Sequence, residues 1–211
     1  MTSIIILGAT GLVGQQLLTL ALDDTRISQV IAPSRRALPA HPKLSNPIVD
    51  FEHLPLDASW WHADVVLCAL GTTMRLAGSQ AAFYRVDHDY VLDAARLAHQ
   101  AGSSVFVLNS STGAKLDASS FYLRVKAETE RDLAALKFSS LILVRPSLLD
   151  GGPRREQRLG ESIAIVLCKL LGPLLAKRLR PISTAKLAKA MLCAGLSAKP
   201  GIHVIESEQL H

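Results

Sequence analysis

In the stretch FYLRVKAETE, a tyrosine and a lysine stand four residues apart, at Tyr122 and Lys126, and the serine pair Ser110-Ser111 lies just upstream. On a helix, residues i and i+4 share one face about one turn apart. A tyrosine phenol ordinarily titrates near pH 10, so proton exchange near pH 7 requires ~4 kcal/mol of preferential stabilisation of its anion. A neighbouring ammonium supplies part of that stabilisation, and the Ser111 hydroxyl could hold a substrate oxygen by hydrogen bonding. The chemistry these three residues suit is proton exchange at a carbonyl or hydroxyl carbon. Tyr-x-x-x-Lys alone arises often by chance, so the reading depends on what stands beside it.

At the other end of the chain, IIILGATGLVGQQLL carries Gly8, Gly11 and Gly14 between an aliphatic run and a helical pattern. Glycines allow a tight turn and close backbone approach to a pyrophosphate, and the helix N-terminus behind them offers unpaired N–H groups. The first gap is one residue longer than in the common dinucleotide fingerprint. Gln15 stands where a nucleotide-triphosphate loop would need lysine. A structural turn is the alternative, and the position directly after the first strand favours the cofactor. The second strand is followed by Ser34-Arg35-Arg36, where an NAD-preferring domain usually has a carboxylate for the ribose 2′-hydroxyl. Arginine provides a planar fork for phosphate, which favours NADP(H), with NAD(H) as the lesser option. Asp50-Phe51 could place a carboxylate and an apolar ring beside the adenine. Cys68 to Thr73 supplies small residues where backbone must pass close to the cofactor, and VRPSLL, with Arg145, Pro146 and Leu148, would line the nicotinamide end.

The elements that must position these residues follow from hydrophobic periodicity. Strand-like runs span 3–7, 29–32, 47–50, 64–70, 104–108, 141–144 and 201–205, several of them continuously aliphatic as expected of strands buried on both faces. Between them, apolar residues at three- and four-residue steps predict helices over 12–22, 80–101, 121–136, 163–171 and 184–196. The alternation predicts an α/β fold: a doubly wound, mostly parallel, Rossmann-like sheet with helices on both faces. Ligands on such a sheet bind at the carboxyl ends of the strands, where all the residues above fall. No linker or repeat divides the chain, so residues 1–211 are expected to form one domain, with 151–200 as a small C-terminal, substrate-side lobe over the cofactor edge.

Composition narrows the class. The 211 residues are 49% hydrophobic and carry a net charge of +5, much of it in GGPRREQRLG and LAKRLRP. The basic surface suits an anionic ligand; nucleic acid is not expected, because no aromatic residues interleave with these charges. The odd, widely spaced Cys68, Cys168 and Cys193 read as reduced, buried thiols of a cytoplasmic protein. No basic leader and no integral membrane segment is expected. SIAIVLCKLLGPLLAKRLR has an apolar face and a basic end, and could serve as a pocket cover, a core helix, a subunit contact or an interfacial segment. The histidines show no metal spacing, and no metal is expected.

Taken together, LGATGLVG, SRR, VDFEHL, CALGTTMRLAGSQAAFYRVDHDYVLDAA, NSSTGA, FYLRVKAETERDLAALKF and LVRPSLLDG resemble the atypical short-chain dehydrogenase/reductase superfamily, and within it the Tat-interacting-protein oxidoreductase group. The resemblance covers residues 4–151 well and the C-terminal quarter loosely. It implies NADPH held by Gly8, Thr10, Gly11, Leu12, Val13, Gly14, Ser34, Arg35 and Arg36, with Asp50 and Phe51 flanking the adenine. Leu70, Gly71 and Thr72 would then flank the adjoining ribose and diphosphate. Ser111, Tyr122 and Lys126 would be the catalytic trio, Lys126 also holding the nicotinamide ribose. One position departs: extended relatives commonly carry Asn where Asp87 stands, and an ionised Asp only accepts hydrogen bonds. Asp87, Asp89 and Asp93 are read as partly solvated helix surface. The expected activity is hydride transfer to or from a small carbonyl or hydroxyl substrate. Two alternatives stand beside it: an NADP(H)-binding redox-sensing regulator with a protein partner, and an NAD(P)-dependent epimerase or dehydratase. A homodimer is compatible with either.

Overall fold

The computed structural model describes residues 2–150 and 180–211. The first strand, β1 (Thr2–Leu7), is followed by α1 (Leu12–Asp23) and β2 (Ile27–Ile31). The short β3 (Leu44–Ser45) and β4 (Val65–Cys68) lead to the helical turns α2 (Met74–Ala77) and α3 (Gln80–Tyr84). A π-turn over Arg85–Asp89 joins α3 to α4 (Tyr90–Gln100). Then come β5 (Val105–Asn109), α5 (Phe121–Ala135), β6 (Ser140–Arg145), β7 (Leu149–Asp150), β8 (Ile182–Ser183), α6 (Thr184–Leu196) and β9 (Gly201–Glu206).

Seven strands form one sheet in the order β3-β2-β1-β4-β5-β6-β9, every pairing parallel. Ile4 to Leu7, Val66 to Cys68 and Phe106 to Leu108 are at most 1% exposed, so these strands are covered on both faces. One covering layer is α1 with α6, closing a core around Ile4, Ile6, Leu17, Val107 and Met191. The other is α4 with the C-terminal half of α5, around Ile5, Leu7, Val66, Leu92 and Phe106. Burying each such aliphatic side chain stabilises the fold by about 1.5–3 kcal/mol. The doubly wound expectation therefore holds, and the chain order reverses between β1 and β4, where open α/β sheets bind their ligands.

Two elements differ from expectation. The third strand was expected at 47–50 but lies at Leu44–Ser45, continued only by a bridge between Ser34 and Ile48. Pro47 cannot donate to the ladder, although its carbonyl accepts from the Ser34 N–H at 3.0 Å. The single helix expected over 80–101 is broken by the π-turn, one extra residue that changes which side chains face inward. The helix expected over 163–171 and Cys168 lie outside the described residues. Cys68 is buried as expected, its thiol pushed up to about 12 by burial, but Cys193 is exposed on α6.

Parallel register aligns the strand ends. Leu7 is level with Cys68, Cys68 with Leu108, and Asn109 with Val144. Gly8, Ala69, Asn109 and Ser110 consequently leave the sheet along one edge. Residues distant in sequence meet there.

Candidate active site

The glycine turn is built for close approach. Gly8 has φ +84°, and a Cβ on it would lie 2.7 Å from the Ala69 carbonyl oxygen and the Leu70 nitrogen. A Cβ on Gly14 would lie 2.0 Å from the Gly8 carbonyl oxygen. Gly11 caps α1 without a side-chain bond, the Gly11 N–H donates to Gly8 O, and the Gln15 N–H is the first to bond back to Gly11 O. Among the described residues the N–H groups of Leu12, Val13 and Gly14 have no acceptor, at the positive end of the helix dipole. Thr10, Gly11 and Leu12 are exposed, while Val13 and Gly14 are buried beneath them. This cradle fits a pyrophosphate.

Along the edge, the second-strand loop divides its roles. Arg35 and Arg36 are exposed, and neither has an ion-pair partner among the described residues. Ser34, expected to contact the cofactor, is 4% exposed. Its hydroxyl donates to the Arg36 carbonyl at 2.5 Å and accepts from Asn46 Nδ2 at 2.9 Å, shaping the loop that presents the arginines. Asp50 is solvent-facing, 3.1 Å from His53 Nδ1 and accepting from the Glu52 N–H, which hold its carboxyl below the usual range. Phe51 is turned inward, 7% exposed, with its ring centroid 5.9 Å from that of Tyr90.

The greatest departure from expectation lies beyond β4. Asp87, read as partly solvated surface, is 1% exposed because the π-turn rotates it inward. Its Oδ2 accepts from the Thr72 N–H at 2.7 Å, and its Oδ1 lies 2.8 Å from Lys126 Nζ. Its backbone carbonyl accepts from Thr129 Oγ1 at 3.1 Å. Asp89 and Asp93 keep the partly solvated character expected of them, their side chains 37% and 53% exposed. Burial pulls the Lys126 ammonium toward neutrality, but the charge of Asp87, with Tyr122 behind it, more than offsets this and holds it above the ordinary lysine value. Lys126 Nζ is 5.9 Å from the centroid of the Tyr122 ring, so the expected helical pair does face one way. Phe83 supports Tyr122 from α3 at a ring distance of 5.8 Å.

The two serines after β5 separate. Ser110 is buried and donates to Glu130 Oε1, while Ser111 is half-buried, its hydroxyl making a single 3.4 Å bond among the described residues, to the Thr112 carbonyl. Ser111 is thus the serine left to turn toward a ligand. Asn109 Oδ1 at the same strand end is buried without a donor, an acceptor that a bound hydroxyl or amide would satisfy. Arg145, expected at the nicotinamide end, is held instead by Glu130 at 2.6 and 3.0 Å and by Glu206 at 3.0 Å. Only its carbonyl faces the neighbouring loop, accepting from Thr112 Oγ1 at 2.8 Å. Pro146 is buried and Leu148 43% exposed, both in the segment leading to β7.

Sequence reasoning missed Asp87, Glu130 and Thr129. The available signals were a carboxylate inside an apolar helical pattern and the Lys-x-x-Thr-Glu continuation of the tyrosine-lysine pair.

Comparison with known proteins gives consistent relatives, although no family model matches the chain. It is 31% identical over 220 residues to the mitochondrial protein FMP52 of Meyerozyma guilliermondii, covering 98% of this chain and 93% of that one. It is 42% identical over 167 residues to protein HTATIP2 of Rattus norvegicus, covering 77% and 68%. In three dimensions it resembles MoeE5 in complex with UDP-glucose and NAD, at a TM-score of 0.72 and 19% identity over 96% of this chain and 74% of that one. A UDP-N-acetylglucosamine 4-epimerase from Methanobrevibacter ruminantium gives the same TM-score at 14% identity, over 97% and 76%. The fold is that of NAD(P)-binding Rossmann proteins. The expected cytoplasmic setting is overturned by the fungal FMP52 relatives, which are mitochondrial proteins. Among the described residues no helix is long and apolar enough to cross a membrane.

Proposed function

The chain belongs to the family of HTATIP2 and FMP52 proteins, atypical short-chain dehydrogenases/reductases, and from that premise we propose that it is an NADP(H)-dependent oxidoreductase acting on a small carbonyl or hydroxyl compound. The observation that carries the reading is one juxtaposition. A glycine cradle with three helix N–H groups that have no acceptor among the described residues shares a sheet edge with a buried lysine one helical turn from a tyrosine.

In this reading Gly8 to Gly14 hold the diphosphate, Arg35 and Arg36 hold a ribose 2′-phosphate, and Ser34 shapes their loop. Asp50 and Phe51 border the adenine, Leu70 to Thr72 the adjoining ribose, and Pro146 and Leu148 the nicotinamide. The bound cofactor supplies the hydride at its nicotinamide ring. Ser111 holds the substrate oxygen, and Tyr122 exchanges a proton with it. The Lys126 ammonium stabilises the phenolate left behind and holds the nicotinamide ribose. Residues 1–211 are read as one domain; of the segment 151–200 expected on the substrate side, Thr184–Leu196 is α6 in the layer that covers the sheet with α1, so the substrate side is proposed for the part before α6. β7 and β8, which lie on either side of residues 151–179 in the sequence, pair with each other.

The test is NADPH oxidation with a panel of small aldehydes and ketones, comparing the parent with Tyr122→Phe. Turnover is expected to fall at least about 100-fold while NADPH affinity stays within twofold. Unchanged turnover overturns the catalytic assignment. NADPH binding with no turnover of any substrate favours the redox-sensing reading. The epimerase or dehydratase reading draws on the fold shared with the UDP-sugar epimerase and requires the cofactor to stay bound through purification.

A further inference from the structure

We propose that Asp87 is the positioning residue of Lys126, a clamp that sets the lysine against the loop bordering the cofactor. The inference rests on the reading of Lys126 as a cofactor-holding group. Three elements converge on this one residue. The β4–α2 loop presents the Thr72 N–H to Oδ2 at 2.7 Å, and α5 presents Lys126 Nζ to Oδ1 at 2.8 Å. One turn further along α5, the single Thr129 hydroxyl proton is shared between the Asp87 carbonyl at 3.1 Å and the Val125 carbonyl at 2.8 Å. Thr129 is 0% exposed, so this bond anchors the π-turn to α5 from inside the fold.

The chemistry at the site selects a carboxylate. Two donors, a backbone N–H and an ammonium, meet different oxygens of the carboxylate, and an ionised Asp offers an acceptor to each. Asparagine would offer one oxygen and direct its NH2 group at one of the two donors. This accounts for the departure from Asn at this position. A buried ammonium without a partner is strongly unfavourable, so the carboxylate also keeps Lys126 charged where the fold has removed water. Gly71 leaves the approach clear, since a Cβ there would stand 3.0 Å from Asp87 Oδ1. The π-turn provides the rotation: each residue of helix turns a side chain by about 100°, so the one-residue insertion decides whether the carboxylate faces α5. Among the described residues Asp87 has no hydrogen bond to the glycine cradle or to the Tyr122 hydroxyl; its side chain reaches the site through Lys126 and the Thr72 N–H.

The experiment is a double-mutant cycle read as the NADPH dissociation constant of the full-length protein, using parent, Asp87→Asn, Lys126→Met and the double variant. Asp87→Asn is expected to weaken binding about tenfold, as loss of a ligand-orienting partner does. In the Lys126→Met background the same substitution is expected to change affinity less than twofold, because the group it positions is gone. An equal loss in both backgrounds, or none in Asp87→Asn alone, overturns the inference. Unchanged affinity in Lys126→Met instead overturns the reading of Lys126 as a cofactor-holding residue, and the inference with it. Should Asp87→Asn fail to fold, Asp87→Glu keeps the charge and displaces it by one methylene. Its loss of affinity is likewise expected to vanish in the Lys126→Met background, and a loss that persists there overturns the inference.

Discussion

The two ends of the carboxyl edge are built in opposite ways. At the β2 end, Arg35 and Arg36 are exposed and have no ion-pair partner among the described residues, on a loop shaped by Ser34 and Asn46. At the β4–α5 end, Lys126 is 6% exposed, paired with an Asp that is 1% exposed, and bordered by Phe83, Tyr122 and Thr129. The difference follows from what each end is proposed to do. Recognition of a phosphate requires charge that is free until the ligand arrives, and exposed guanidinium groups reorganise at little cost. Proton exchange requires groups already in place, and burial with fixed partners provides that preorganisation.

Three variants test this contrast. The largest effect is expected at the cradle that both ends share. Gly14→Val places a Cβ 2.0 Å from the Gly8 carbonyl oxygen, so NADPH binding is expected to fall more than about 100-fold, with a lower melting temperature. Wild-type affinity by calorimetric titration would place the diphosphate elsewhere. A smaller and more selective effect is expected at the exposed end. Replacing Arg35 and Arg36 with Ser should weaken NADPH about 10-fold at low salt and NADH less than twofold, and the NADPH penalty should shrink as salt screens the exposed charges. Equal parent affinities for the two cofactors would contradict the 2′-phosphate role.

The smallest effect is expected outside both ends, at Asp132, which pairs with Arg131 at 2.7 Å and with His88 at 2.9 Å. The Arg131 hydrogen bond, aided by His88, holds its carboxyl at about 2 against an ordinary 3.8. Because the folded value is the lower one, its stabilisation is complete above 3.8 and disappears as pH falls through about 2. Asp132→Asn should therefore cost less than about 1 kcal/mol near pH 6, since the pair is partly solvent-screened, with the difference closing between about pH 4 and pH 2. A melting-temperature gap that persists at pH 2, or any change in NADPH affinity, would contradict this.

Much of the edge was legible before the structure. The aliphatic runs before Gly8 and Asn109 marked strands, and the boundaries 184–196 of the last described helix agree residue for residue. The pairing of Tyr122 with Lys126 followed from helical spacing alone. Ser34, expected in the loop for the 2′-phosphate, and Arg145, expected at the nicotinamide end, have side chains engaged within the protein. Whether a hydroxyl or a guanidinium is free depends on neighbours distant in sequence, here Asn46 for Ser34, and Glu130 and Glu206 for Arg145. Cys193 sits in an apolar run, yet its position on the helix faces solvent.

The sequence by itself determined what is local. Alternating periods of two and 3.6 residues set the order of strands and helices, glycines set the first turn, and a four-residue step set the tyrosine above the lysine. Only the tertiary structure decided Asp87. A π-turn adds one residue without leaving a mark in hydrophobic periodicity, and the partners it creates, Thr72, Lys126 and Thr129, come from separate elements. Spacing along a chain fixes which side chains share a face; packing alone fixes which faces meet.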